Sequence, residues 1–340
     1  MSLKQDIDYS LWCDFIERDF LEDEFVDLIE SGLIHGATSN PAIFQNSFKN
    51  SSAYQEDIEL LKGNEAKTIY EKLAIKDIKL AANKLSNLYE KDSNDGFVSI
   101  EVDPMLCDDA FGTIEEGSRL HSKIEAKNVM IKVPATPNGY EAMRELIGAG
   151  ISVNATLIFS PTQAIECAKA FEEGIKVAQK NSNLNKNMNN NPKAVISVFV
   201  SRFDRKCDEI FASKELEKAR LGIINAIKCY HEIEKFNNPN IRTLFASTGV
   251  KGDELKPSYY IDELIFPHSV NTAPLATIKA WQKDGSKVPT QMISLEECNS
   301  YFELLASKDI DMDKIYDELL NEGLDTFKDS FKDLGEFLSC

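Results

Sequence analysis

Along most of the chain, short stretches of alternating apolar and polar residues take turns with longer stretches in which apolar residues recur every three or four positions. The first spacing predicts strands and the second predicts helices. The strand-like runs are Ser10 to Phe15, Leu33 to Ser39, Gly96 to Val102, Asn128 to Pro134, Ile151 to Phe159, Ala194 to Ser201, Ile241 to Ser247 and Glu263 to Val270. Helical patterns separate many of them, among them Ala66 to Glu90, Pro161 to Gln179 and Arg205 to Phe236. The second of these carries a start signal, Ser160 as N-cap and Pro161 at the first helical position. From Asp311 to Phe337, Ile315, Leu319, Leu320, Leu324, Phe327, Phe331 and Leu334 recur at helical spacing among largely acidic positions. This predicts an amphipathic C-terminal helix within 311–338, docked on the body. The Asn-rich segment 180–192 has almost no apolar content and predicts a solvated loop. No repeat or linker divides the chain, so 1–340 reads as one domain.

Strands of an open parallel sheet lie under helices on both faces and read as near-continuous apolar runs. Several strands here do not. Val129, Ile131 and Val133 share one face and Lys132 lies on the other. Ile151, Val153, Ala155 and Leu157 oppose Ser152, Asn154 and Thr156. Val98, Ile100 and Val102 oppose Ser99, Glu101 and Asp103, and Ala194, Ile196, Val198 and Val200 oppose Ser197, Phe199 and Ser201. Eight strands with helical crossovers match a (β/α)8 TIM barrel with extra helices, the apolar set packing outward and the other set pointing into the lumen. An antiparallel sheet with one wet face is the other reading, and the helical crossovers argue against it.

Charge and composition exclude several function classes. The 340 residues carry 38 Lys and Arg against 56 Asp and Glu, a formal charge of −18. A chain this acidic is a poor non-specific nucleic-acid binder, and any anionic small molecule must be held by a few placed cations. The longest apolar run, Ala194 to Val200, is far short of a membrane span. The polar N-terminus does not resemble a signal peptide. The seven scattered cysteines predict reduced thiols in a cytoplasmic protein. His35, His121, His231 and His268 are far apart, no common metal or phosphate-loop motif occurs, and no metal site is expected.

Lys132 is the most informative residue. It lies in mid-strand between Ile131 and Val133, followed by Pro134, and cannot easily reach water if it faces a lumen. Burial disfavours an ammonium, and a free lysine is only about one part in 2,500 neutral at pH 7. Lowering the pKa by about 3 units meets the requirement for a Schiff-base nucleophile. The pattern alone equally admits a structural lysine ion-paired to Glu101 or Asp14.

The stretches GATSNPAIF (Gly36 to Phe44), VSIEVDP, NVMIKVPAT, GISVNATLIFS, VFVSRFD and LFASTGVK resemble, in order, the motifs of the transaldolase family, in its longer variety, from about Leu11 to Ala280. The resemblance implies a class I, Schiff-base enzyme on an (α/β)8 barrel that needs neither metal nor organic cofactor. It further implies that Lys132 forms the imine and that Asp14 is the acid/base at the donor C4 hydroxyl. Glu101 and Thr156 would hold a proton-shuttling water. Asn40, Asn154 and Ser197 would bind the three-carbon fragment, Phe199 would pack beside it, and Arg202 would clamp the phosphate. The family often places an arginine soon after the seventh strand. Here the run is ASTGVK, so Ser247 and Lys251 are the expected second phosphate contacts.

Other readings of the same residues are ordinary ones. Asn40 before Pro41 suits a turn or helix cap, Thr156 suits strand packing, Phe199 suits a core, and Asp14 and Arg202 suit a surface ion pair. The expected partners are sugar phosphates, with no nucleic acid or membrane, in a monomer or homodimer. Two alternatives to a transaldolase stay open. One is a fructose-6-phosphate aldolase-like enzyme that releases dihydroxyacetone, which chain length and Glu101 disfavour. The other is a non-catalytic sugar-phosphate-binding barrel, for which an inward lysine would be superfluous.

Overall fold

The eight strands close on themselves. The computed structural model describes residues 2–182 and 189–339. In it β1 (Ser10–Cys13), β2 (Gly36–Thr38), β3 (Phe97–Glu101), β4 (Val129–Pro134), β5 (Ser152–Ile158), β6 (Ala194–Phe199), β7 (Ile241–Ala246) and β8 (Ser269–Ala273) pair in chain order, all parallel, and β8 returns to β1. This is the (β/α)8 barrel that the alternation predicts. The outward set, including Val98, Ile100, Val129, Ile131, Val133, Val153 and Ala155, packs with the surrounding helices in one continuous apolar cluster. Cys13 belongs to that outer cluster, as alternation requires, and burial pushes its thiol pKa up.

The lumen is stacked in layers. At the N-terminal end, Arg242 on β7 donates to the carbonyls of Asp8, Asn94 and Ser269 and to Ser10 Oγ, and it lies 3.6 Å from the Asp95 carboxylate. Above it Trp12, Phe97, Met130, Val195, Leu244 and Val270 form an apolar plug. Gly36 on β2 makes room for that plug, since a Cβ there would sit 2.7 Å from the Trp12 ring and 2.8 Å from the Phe97 carbonyl. Polar side chains follow at the C-terminal strand ends, the end at which barrel enzymes place their chemistry.

Six helices matter to the site: α1 (Pro41–Asn50), α2 (Ala66–Lys91), α3 (Pro161–Ser182), α4 (Ser201–Ser213), α5 (Leu221–Glu234) and α6 (Met312–Leu338). Ser160 caps α3 as predicted: Gln163 N–H donates to Ser160 Oγ at 3.1 Å, and Gln163 Oε1 accepts from Ser160 N–H in return. The predicted C-terminal helix is α6. Its C-terminal half lies on α1 and α2, with Phe331 edge-on to Tyr70 at 5.3 Å, and its N-terminal half crosses the barrel mouth. No described helix is long and apolar enough to cross a membrane.

Three sequence expectations are corrected. The eighth strand is Ser269–Ala273 and not 263–270. Residues 259–262 are helical, Leu264, Ile265 and Phe266 pack into the outer core, and Pro267 with His268 at φ 51° turns the chain before the strand begins. An apolar run alone does not separate a strand from a buried approach segment. The helix expected over 205–236 is two, α4 and α5. Glu215 and Ala219 take left-handed φ of 57° and 56° between them, and Asp204 and Asp208 of α4 accept from the N–H groups of Gly222 and Ala219. Leu157 does not share the outer face with Val153 and Ala155. A bulge follows Ala155, Leu157 has φ 59°, and its side chain joins the cluster at the mouth. Of the Asn-rich segment, residues 183–188 lie outside the described residues, and α3 runs on to Ser182.

Candidate active site

The polar strand ends converge on one cavity of about 450 Å³ at the barrel mouth. Of the eleven residues singled out from the sequence, nine line it: Asp14, Asn40, Lys132, Thr156, Ser197, Phe199, Arg202, Ser247 and Lys251. Glu101 and Asn154 do not reach its surface and lie directly beneath it.

Lys132 is 5% exposed in mid-β4, where register places it between Glu101 of β3 and Asn154 of β5. Its Nζ donates to the Ser39 carbonyl at 3.0 Å and lies 3.4 Å from Glu101 Oε2, an ion-pair separation longer than an ordinary hydrogen bond. The ion-paired lysine and the inward lysine of the sequence reading are therefore one geometry. Burial raises the Glu101 pKa to about 7 against the opposing pull of the Lys132 charge. Both Glu101 oxygens and Thr156 Oγ1 are buried without a hydrogen-bond partner. Polar atoms in that condition are costly, and so are candidates to engage a ligand or water.

Asp14, just past β1, accepts from Thr38 Oγ1 at 2.6 Å, and Thr38 Oγ1 also contacts Thr272 Oγ1 at 2.7 Å. Burial raises the Asp14 pKa, while the Lys132 charge and the Thr38 hydroxyl oppose the rise. Asp14 and Arg202 form no surface ion pair. Two carboxylates of raised pKa thus flank one lysine, from different strands and with different partners.

Asn40 is the N-cap of α1, its Oδ1 accepting from Ile43 N–H at 3.0 Å. The ordinary reading of Asn40 holds, and it still lines the cavity, with its Nδ2 available to donate to a ligand. Asn154 is fully buried, accepting from Ser197 Oγ at 2.6 Å and donating to Ser99 Oγ at 3.3 Å. Its side chain supports Ser197 from below. Phe199 packs on Phe159 at 5.2 Å, and the Arg202 guanidinium sits 5.0 Å over its ring.

The far end of the cavity is cationic. Arg202 opens α4, and burial together with the nearby Arg205 charge lowers its pKa to about 10. Arg205, one turn on, lines the same cavity, as does Lys251. Among the described residues Arg202 and Arg205 have no carboxylate partner within ion-pair distance, whereas the neighbouring Lys206 is held by Glu318 and Glu322. Ser247 leaves β7 at φ 56° and its Oγ meets Ser201 Oγ at 3.0 Å. Sequence reasoning missed Arg205, Thr38, Thr272 and Phe327. The i, i+3 spacing of Arg202 and Arg205 was the available signal for the first. Nothing local marked Phe327, which reaches the cavity from α6. None of the four histidines lines it.

A closed barrel with a buried lysine, two carboxylates and a cationic rim defines a class of protein whose chemistry is on a carbonyl compound bearing an anionic group. Residues 11–338 match the family described as Transaldolase/Fructose-6-phosphate aldolase, and the chain belongs to that family. A transaldolase of Campylobacter jejuni subsp. jejuni serotype O:23/36 is 48% identical over 328 residues, 96% of this chain and 98% of the relative. A transaldolase of Helicobacter pylori strain P12 is 46% identical over 327 residues, with the same coverage.

Proposed function

We propose that the protein is a transaldolase of the non-oxidative pentose phosphate pathway. It moves a dihydroxyacetone unit from sedoheptulose 7-phosphate or fructose 6-phosphate to glyceraldehyde 3-phosphate or erythrose 4-phosphate. The observation that carries this reading is the burial of Lys132 Nζ 3.4 Å from Glu101, in a cavity whose other end presents Arg202 and Arg205 without carboxylate partners.

Each step then has a resident group. The Lys132 amine adds to the ketose C2 carbonyl, and Glu101, with a pKa of about 7, accepts and returns the proton as the carbinolamine loses water. Thr156 Oγ1 and the Glu101 oxygens, buried and unpartnered, would hold that water. Asp14 takes the C4 hydroxyl proton, the C3–C4 bond breaks, and its electron pair enters the iminium system as an enamine. The enamine attacks the acceptor aldehyde, Asp14 returns its proton to the new hydroxyl, and a water at Glu101 and Thr156 then adds to C2 of the product iminium, so that the C2–N bond breaks and Lys132 is regenerated. Asn40 Nδ2 and Ser197 would bind the fragment hydroxyls, with Asn154 positioning Ser197. Arg202 and Arg205, with Lys251 and Ser247, would take the phosphate, for which a guanidinium offers a fork of donors.

The alternative within the family is an aldolase that releases free dihydroxyacetone. The near-full-length similarity to proteins named transaldolase favours transfer. The six described cysteines are buried free thiols, which supports placing the protein in the reducing cytoplasm. Incubation with fructose 6-phosphate, borohydride reduction and peptide mass spectrometry is expected to find the adduct on Lys132. Addition of erythrose 4-phosphate is expected to give sedoheptulose 7-phosphate. Absence of any adduct would remove both enzymatic readings and leave the sugar-phosphate-binding barrel.

A further inference from the structure

The middle of α6 presents Leu319, Gly323 and Phe327 to the barrel mouth, a stripe with a period of four. Phe327 is 5% exposed and lines the cavity, its ring centroid 5.8 Å from Lys132 Nζ. Gly323, one turn earlier, packs without a side chain against residues of the barrel mouth. A Cβ there would lie 2.9 Å from Leu157 Cδ2 and 3.2 Å from Arg202 Nη1. Leu157 is the bulged residue directly after Thr156, turned toward the mouth by its left-handed backbone. A strained strand end and a side-chain-free helix face thus meet, and the contact holds Phe327 over the lysine.

We propose that Phe327 is a positioning residue that keeps solvent water from protonating the enamine on Lys132, and so sets how often the bound three-carbon fragment is transferred rather than released. This rests on the transaldolase reading above. After the C3–C4 bond breaks, the enamine has two fates. It attacks an aldehyde, or its terminal carbon takes a proton to give the imine of dihydroxyacetone. In the second case one water adds its oxygen to C2, the C2–N bond breaks, the nitrogen keeps a proton, and free dihydroxyacetone leaves with Lys132 regenerated. Transfer also ends with water adding at C2 to free its product from Lys132, so the step peculiar to release is the proton that the enamine carbon takes, and solvent water is its source. A phenyl ring beside the nitrogen occupies the space from which it would come, and its face also favours the cationic iminium.

The test is the ratio of free dihydroxyacetone to transferred product, read by NMR with fructose 6-phosphate and erythrose 4-phosphate, alongside the borohydride adduct. In Phe327→Ala the ratio is expected to rise roughly tenfold, and in Phe327→Leu, which keeps apolar bulk, to stay near the wild-type value. An alanine variant that folds, forms the Lys132 adduct and keeps the wild-type ratio overturns the proposal. If that variant does not fold, a ratio higher in Phe327→Val than in both wild type and Phe327→Leu supports the proposal, and equal ratios in all three overturn it. Failure of the underlying reading is distinct, since wild-type protein would then form no adduct on Lys132.

Discussion

The contact between Lys132 Nζ and Glu101 Oε2, 3.4 Å long and closed off from solvent, explains most of what the site can do. In the proposed mechanism the lysine needs a proton acceptor, and burial, which lifts Glu101 to about 7, suits that carboxylate to take and return a proton near neutrality. Below that value Glu101 is protonated and cannot accept, so the rate of imine formation is expected to rise with pH through about 7 and then level. Glu101→Gln should lose this inflection and slow single-turnover adduct formation by about 10²- to 10⁴-fold. Borohydride trapping across a pH series checks it, and an inflection that survives in the glutamine variant would take Glu101 out of the proton path. The same shift has a stability sign. Between about 4.5 and 7 the folded chain holds a proton that the unfolded chain has shed, so this group's contribution falls as pH rises through that window. Lys132, Glu101 and Thr156 were legible because strand alternation has a period of two and each is a polar residue on the face opposite an apolar set. Phe327 was equally visible as a helical apolar residue, but its spacing fitted core packing alone.

On the scale of elements, α4 supplies the anion end of the site. Its N-terminal residues Arg202 and Arg205 lie on the same cavity, and its Asp204 and Asp208 accept from Gly222 N–H in the first turn of α5 and from Ala219 N–H in the turn before it. Arg205 is exposed, so its attraction for a phosphate is screened by salt. Arg205→Ala is expected to raise KM for phosphorylated substrates about fivefold to tenfold at low ionic strength, with little change in kcat and a smaller effect at high salt. Arg202→Ala, losing a more buried guanidinium, should cost more and depend less on salt. Steady-state kinetics at two ionic strengths checks both, and equal losses in kcat for Arg205→Ala would place it elsewhere in the mechanism. The boundaries of α4 and α5 were not legible because their break depends on carboxylates reaching backbone N–H groups across a turn. The strand β8 was misplaced for a similar reason, since Leu264, Ile265 and Phe266 are apolar for outer-core packing and not for strand pairing.

The whole molecule separates stability from chemistry along the barrel axis. The N-terminal end is stoppered by Arg242, with Asp95 and Lys4 beside it, and the Trp12 layer lies between that stopper and the mouth. Arg242 is 4% exposed at the side chain, and removing it leaves the carbonyls of Asp8, Asn94 and Ser269 without this donor, while Asp95 keeps Lys4 at 2.9 Å. Arg242→Met is expected to destabilise the fold by about 3 kcal/mol, while folded protein still forms the full adduct on Lys132. Chemical denaturation and borohydride trapping on the same sample check this. A loss of adduct in the folded variant would mean the two ends are coupled through the apolar layer. The net charge of −18 makes the cationic rim at the other end a local exception, useful for drawing a phosphate to one place on a surface that otherwise repels it.

By itself the sequence determined the barrel, the inward faces of β3, β4 and β6 and the inward lysine with Glu101 beside it, because periodicity and side-chain chemistry are local properties carried by consecutive residues. Only the tertiary structure decided that Leu157 turns inward, that Arg205 shares a cavity with Arg202, and that a helix more than 150 residues beyond β5 sets a phenyl ring over Lys132. Those depend on which surfaces meet when the ring of strands closes, and no spacing along the chain encodes a contact between elements so far apart.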